Sequence, residues 1–265
     1  MAHKALLQYN SPRPGLQVFK VTEDTWCLRR PSYLTCSYLM DLGTGQVVAI
    51  DAGMNSSGED VLAGLEEMGR KPADVAAVLL THWHNDHSAG AYYLQKTHST
   101  PIYYHQLEEP FFNAQPSGVR KPLAWLSRWV PEAGPLVLLK GLLKDGPSHP
   151  VTADRHIVGG ELLFDRLRVI ETPGHTPGHL SFFDEREACL FAGDALAVVN
   201  GEPRRMARPV TLDLGAAATS ILKLDAKEIK VICPGHRWPL FDRVKDQLIE
   251  LQRDIQCGER WPWLG

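Results

Sequence analysis

The sequence contains no apolar run long enough to span a bilayer, and its first ten residues, Met1 to Asn10, have neither a long apolar core nor a cleavage-like site. No membrane partner is expected, and the sequence reads as cytoplasmic. Long lysine or arginine blocks are missing and the formal net charge is -3, so the clustered cations that a phosphate backbone requires are not provided. Nucleic acid is therefore not an expected partner. The five cysteines, Cys27, Cys36, Cys189, Cys233 and Cys257, are odd in number, scattered and without a C-x-x-C pair, which excludes a disulfide framework or a zinc ribbon. Buried free thiols are expected instead. Short-period repeats, low-complexity tracts and a Gly-rich dinucleotide fingerprint after the first strand are also absent.

What is present is a chain of 265 residues, 44% hydrophobic and 22% charged, which is enough to bury one large core. We expect a single domain over residues 1–265. Leu16 to Val21, Thr35 to Leu42 and Gln46 to Asp51 are short apolar or β-branched runs, the last two joined by Gly43-Thr44-Gly45, and they read as antiparallel strands. From Gly58, apolar Val61, Leu62, Leu65 and Met68 recur at helical spacing until Gly69. Val75 to Leu80 is a strand leading into Thr81-His82-Trp83-His84-Asn85-Asp86-His87, with a helix expected from Ser88. Thr100 to His105 is another strand. From about 108 to 155 the chain is rich in Pro, Gly and aromatics, with a helix expected over Leu123 to Trp129, and we read a helical insertion covering the active site. Strands follow at Leu162 to Phe164, Leu167 to Glu171, Leu180 to Asp184, Ala188 to Ala192 and Lys230 to Cys233, with helices at Asp213 to Leu224 and Phe241 to Ile255. Strands with helices outside them predict an α/β (α+β) class with a four-layer αββα sandwich.

His82, His84, Asp86 and His87 fall within six positions at the end of an apolar strand, a density of metal-ligand types that a purely structural role does not explain. Three later segments repeat the device of a ligand type at a strand end beside glycine. They are Thr172-Pro173-Gly174-His175, Gly193-Asp194 and Cys233-Pro234-Gly235-His236. Any one of them alone would read as a turn; with the first cluster they form a metal-ligating set.

On these residues the sequence resembles the metallo-β-lactamase superfamily, whose H-x-H-x-D-H stands here as His82 to His87, followed by His175, Asp194 and His236. The resemblance runs from about Leu16 to Pro239. It implies a four-layer metallo-β-lactamase sandwich binding two divalent metal ions. His82, His84 and His175 would hold the first, Asp86, His87 and His236 the second, with Asp194 bridging. Nitrogen and oxygen donors make zinc the default and also accept manganese, iron or cobalt. For His179 the expected role is hydrogen bonding behind the ligands.

Two ions about 3.5–4 Å apart would lower the pKa of a shared water towards about 7 and make a bridging hydroxide the nucleophile. Asp86, the catalytic candidate, would orient it and return a proton to the leaving group. The expected substrate is a small acyl compound, a carbonyl ester, lactone or thioester. Asp194 departs from lactamases that carry Cys there. Arg237-Trp238-Pro239-Leu240 departs from the Gly-His-Glu-Tyr segment of glyoxalase II enzymes, and Ala195-Leu196-Ala197 lacks the Tyr of acyl-homoserine lactonases. A glyoxalase II-like thioesterase and a mononuclear iron persulfide dioxygenase are the alternatives. Phe111, Phe112, Leu123, Trp125, Leu126 and Trp129 could roof an apolar pocket or form a homodimer contact, and Arg204, Arg205 and Arg208 are candidates to hold a substrate carboxylate.

Overall fold

The computed structural model describes residues 10–114 and 150–263. An eight-stranded sheet runs in chain order through β1 (Asn10–Arg13), β2 (Leu16–Lys20), β3 (Thr25–Arg30), β4 (Thr35–Asp41), β5 (Val47–Ile50), β6 (Val75–Leu79), β7 (Ile102–Tyr104) and β8 (Arg155–His156). Pairing is antiparallel from β1 to β5 and parallel from β5 to β8. The switch follows from the connections: the Gly43-Thr44-Gly45 turn returns the chain antiparallel, whereas helix α1 (Glu59–Glu67) carries it back to the starting edge. Short helix α2 (Asn85–Ser88) and helix α3 (Ala91–His98) make the next crossover, and α4 (Glu109–Ala114) follows β7.

The second half builds another sheet from β9 (Leu162–Leu163), β10 (Leu167–Glu171), β11 (Leu180–Asp184) and β12 (Cys189–Gly193). The hairpin β13 (Ala197–Val199) and β14 (Glu202–Arg204) and helix α5 (Leu214–Leu222) lead to β15 (Val231–Pro234), which lies parallel to β12 at the sheet edge. The last helix is α6 (Val244–Gln256). Asp213 caps α5, its carboxylate accepting N–H bonds from Gly215 and Ala216 at 2.9 Å each.

Side chains alternate along each strand, so an apolar strand between two layers feeds two cores. Tyr38, Met40, Val48, Ile50, Leu79, Phe182 and Phe191 fill the space between the sheets. Leu39, Val47, Ala49, Val78 and Leu80 turn the other way, onto Val61 and Leu65 of α1 and Leu94 of α3. Phe183, Leu190, Ala192 and Ile232 likewise pack on Ile221 of α5 and Leu248 and Leu251 of α6. These are the four αββα layers expected. Full burial of each large apolar side chain contributes about 1.5–3 kcal/mol.

Several expectations shift. The helix anticipated from Ser88 begins inside the histidine motif, at Asn85, and breaks before Ala91. The last helix begins at Val244, three residues late, because Arg243 takes a left-handed conformation at its N-cap (φ 48°). Strands β1, β3, β8, β13 and β14 were not anticipated. Four cysteines are buried free thiols, but Cys257, after the end of α6, is exposed. Within the anticipated insertion, Glu108, Phe112 and Val151 are buried in the body and Arg155–His156 joins the first sheet. Leu123, Trp125, Leu126 and Trp129, and the helix expected around them, lie outside the described residues. Among the described residues no helix is long and apolar enough to cross a membrane.

Candidate metal centre

The chemistry-bearing residues leave the C-terminal ends of five strands. Asp51 follows β5, His82 and His84 follow β6, His175 follows β10, Asp194 follows β12 and His236 follows β15. Asp86 and His87 sit on α2, the helical turn that the backbone makes immediately after β6. Parallel neighbours end on the same side, which is why residues distant in sequence meet at one edge of the sandwich.

His82 Nε2 and His175 Nε2 lie 3.1 and 2.9 Å from His84 Nδ1, so three ring nitrogens converge on one point. Beside them, His87 Nε2 and His236 Nε2 face Asp86 Oδ2 at 3.8 and 3.5 Å. The Asp194 carboxylate lies between the two groups. Its Oδ2 is 3.3 Å from His175 Nε2 and 3.2 Å from His236 Nε2, and its Oδ1 is 3.5 Å from His87 Nε2. Three overlapping sets each bring one donor atom per residue within 4.8 Å: His82, His84 and His175; His82, His87 and Asp194; and Asp86, His87 and His236. All seven anticipated residues are therefore brought together. His87 Nε2 and Asp194 Oδ1 are buried without a hydrogen-bond partner although they face each other. Such orphans are costly in a native interior, and a cation between the donors would satisfy both. The nitrogen and oxygen donor set fits divalent zinc, manganese, iron or cobalt.

Buried hydrogen bonds fix which ring nitrogen is free. Asp51 Oδ2 accepts from His87 Nδ1 at 2.7 Å, and Asp51 Oδ1 accepts the Thr81 N–H at 2.8 Å. The Thr81 hydroxyl donates to the Asp51 carboxylate at 3.0 Å and accepts from His82 Nδ1 at 2.9 Å, which leaves His82 Nε2 as a lone pair. His179, expected behind the ligands, is there. Its Nε2 accepts the Asp194 N–H at 2.9 Å, so its proton is on Nδ1, donated to Thr172 Oγ1 at 2.8 Å. That hydroxyl donates to Ser181 Oγ at 2.9 Å, which donates to the Ala192 carbonyl at 3.0 Å. This closed chain holds the backbone that presents Asp194. Glu108 is fully buried, with Oε2 accepting the Trp83 N–H at 2.9 Å and Oε1 the Gly178 N–H at 2.7 Å. Asp51, Thr81, Thr172 and Glu108 were missed from sequence. Asp51 ends an apolar strand, and that was the one signal available.

Glycine is required at 235 by close approach. A Cβ there would lie 2.6 Å from His87 Cε1 and closer still to Asp194 Oδ1. The space that the Gly-His dipeptide keeps open is the space between the donors.

The charges divide the centre. Burial, reinforced by the neighbouring histidines, pushes the His82 pKa well below its ordinary value; burial likewise takes His175 and His179 down to about 3 and lowers His84. These rings are neutral lone-pair donors at pH 7. Burial also opposes the charged form of His87, but the carboxylates of Asp194, Asp86 and Asp51 overcome it and push its pKa up to about 10. His236 is raised in the same sense, mainly by Asp194. Burial works against the ionised carboxyls of Asp86 and Asp194, and the surrounding histidines more than offset it, holding both below the usual range.

The remaining candidates separate. Phe111 stacks on Trp83 with ring centroids 5.5 Å apart and planes 9° apart, and Trp83 meets His84 edge-on at 4.3 Å, placing an apolar wall beside the ligands. Phe112 instead packs on Tyr104 in the core. Arg205 is buried and donates to the carbonyls of Glu259 and Arg260 at 2.9 and 3.1 Å, so it fastens the C-terminal segment. Arg204 pairs with Glu202, and Arg208 is exposed, its backbone N–H bonded to the Pro262 carbonyl.

The family model of the metallo-beta-lactamase superfamily matches residues 34–236. The chain is 29% identical to the probable metallo-hydrolase YflN of Bacillus subtilis, over 73% of this chain and 76% of that protein. It is 27% identical to a hydroxyacylglutathione hydrolase of Bdellovibrio bacteriovorus, over 60% of this chain and 47% of that enzyme, so it spans less than half of that relative's length. Among solved structures, TTHA1623 in a di-iron-bound form superposes with a TM-score of 0.59 at 26% identity, covering 81% of this chain and 93% of that one.

Proposed function

The chain belongs to the metallo-β-lactamase superfamily, and from that premise we propose that it is a dinuclear metal-dependent hydrolase acting on a carbonyl ester, lactone or thioester of a small molecule. His82, His84 and His175 would hold the first ion and Asp86, His87 and His236 the second, with the Asp194 carboxylate lying between the two groups. When bound, the ions would supply what these side chains lack, activation of water at neutral pH and polarisation of a carbonyl oxygen. The support is the convergence of seven donor residues, two of which, through His87 Nε2 and Asp194 Oδ1, present buried atoms without a hydrogen-bond partner.

Asp86 is the more exposed of the two acidic ligands, 34% against 3% for Asp194. It stands where a substrate approaches, and we assign it the proton returned to the leaving group. The stacked pair Trp83 and Phe111 beside His84 favours an apolar acyl group over a highly charged one. The hydroxyacylglutathione hydrolase relative keeps thioesters among the substrates to be tried, and the di-iron form of TTHA1623 keeps iron beside the default, zinc.

The test is elemental analysis of purified protein followed by a panel of lactones, thioesters and esters, before and after chelation. About two zinc, manganese or iron ions per chain, with turnover lost on chelation and restored by the metal, is the expected result. A single iron per chain would sink the two-metal reading and direct the search to persulfides.

A further inference from the structure

The three nitrogens of the first ligand group come from two loops that leave different sheets and meet at their roots, where Leu180 N–H donates to the Thr81 carbonyl at 2.9 Å. His82 and His84 flank Trp83 after β6, whereas His175 belongs to the Thr172 to His179 loop between β10 and β11. One side chain connects the two loops through its own hydrogen bonds. Glu108, at the end of the 3-10 turn Gln106–Glu108, has no solvent exposure. Its Oε2 accepts the N–H of Trp83 at 2.9 Å and its Oε1 the N–H of Gly178 at 2.7 Å. The Trp83 peptide is gripped on its other side as well, its carbonyl accepting from Ser88 Oγ at 2.8 Å. Gly178 fits the clamp because it lacks a side chain. A Cβ there would lie 3.0 Å from both Glu108 Cγ and Oε1 and 2.9 Å from His105 Nδ1.

We propose that Glu108 is a positioning residue for the first metal ion, a buried two-oxygen clamp that locks the His82-Trp83-His84 turn against the His175 loop so that their nitrogens converge. This inference rests on the metal reading above. Glu108 touches neither metal nor substrate; it acts through backbone amides, and only a side chain with two acceptor atoms at this reach serves both loops. A glutamine keeps one acceptor and turns an NH2 towards the second N–H, opening one side of the clamp without changing volume.

Glu108→Gln is tested by titrating chelator-stripped protein with zinc against a competing chelator, with circular dichroism confirming the fold. The parent is expected to take up two equivalents. The variant should hold one of them at least about tenfold more weakly, the size typical when support behind a ligand is lost, and keep the other unchanged. On a His84→Ala background, already lacking a first-position ligand, E108Q should add no further loss. Gly178→Ala, which pushes the carboxylate from the opposite side, is the second variant and should reproduce the selective loss. Equal weakening of both equivalents, an added loss on the His84→Ala background, or no change in either variant would overturn the clamp. A parent protein that binds no zinc, manganese or iron would overturn the metal reading itself, and the clamp with it.

Discussion

The hydrogen bond between Asp51 and His87 makes a prediction whose sign and size both come from the structure. Asp51→Asn preserves shape and keeps one oxygen on the Thr81 N–H, now at 2.8 Å. The new amide then faces His87 Nδ1, where a donor has been bonded to Oδ2 at 2.7 Å. Two donors cannot share that contact, so the ring moves its proton to Nε2, the atom that faces Asp194 Oδ1 at 3.5 Å and Asp86 Oδ2 at 3.8 Å. The lone pair offered to the second ion is lost, at a cost of about 10–100-fold in affinity. A second effect opposes the first. Asp51 is one of three carboxylates holding His87 near 10, so its neutralisation lowers that pKa and eases proton competition for the ring. In the parent, affinity at this position climbs with pH until about 10; in Asp51→Asn the climb ends earlier. The deficit therefore widens between about pH 7 and 9. Zinc competition by calorimetry reads the affinities, and long-range proton–nitrogen spectra of the imidazoles read the tautomer. A variant that binds both equivalents as tightly as the parent across this range, or keeps its His87 proton on Nδ1, would refute the reasoning.

Metal loading should release close to one proton per chain at pH 7 from His87, which is protonated up to about 10 in the metal-free protein, with a further contribution from His236. None is expected from His82 or His175, which burial keeps neutral. Calorimetry in buffers of different ionisation enthalpy measures this, and a heat independent of buffer contradicts it. Gly235→Ala places a methyl 2.6 Å from His87 Cε1 and against Asp194 Oδ1. It should lower stability by about 1–3 kcal/mol and reduce metal uptake by at least one equivalent while the fold persists. Full uptake with an unchanged melting temperature would show that the gap between the donors is wider than described.

The candidate ligand types were legible in the sequence because each motif carries its own local signal. An apolar strand ends, glycine or proline turns the chain, and a histidine or aspartate follows, as at Gly174-His175, Gly193-Asp194 and Gly235-His236. The layered fold was legible for a similar reason, since strands such as β5 and β12 are apolar at every position and feed cores on both faces. Strand β3 was not legible: buried Thr25 and Arg29 break its apolar run, and Arg29 is accommodated by Gln17 on β2 together with Trp238 and the Arg237 carbonyl, which arrive from the far end of the chain. Glu108 reads as surface in a Gln-Leu-Glu-Glu-Pro run, and Arg205 as a loop cation free to meet substrate. The sequence alone determined which atoms could bind a metal. Which lone pairs point inward was decided by the tertiary structure, because Asp51 meets His87 across 36 residues and Glu108 meets Gly178 across 70. A hydrogen bond acts over about 3 Å of space and carries no mark in the chain that separates its partners.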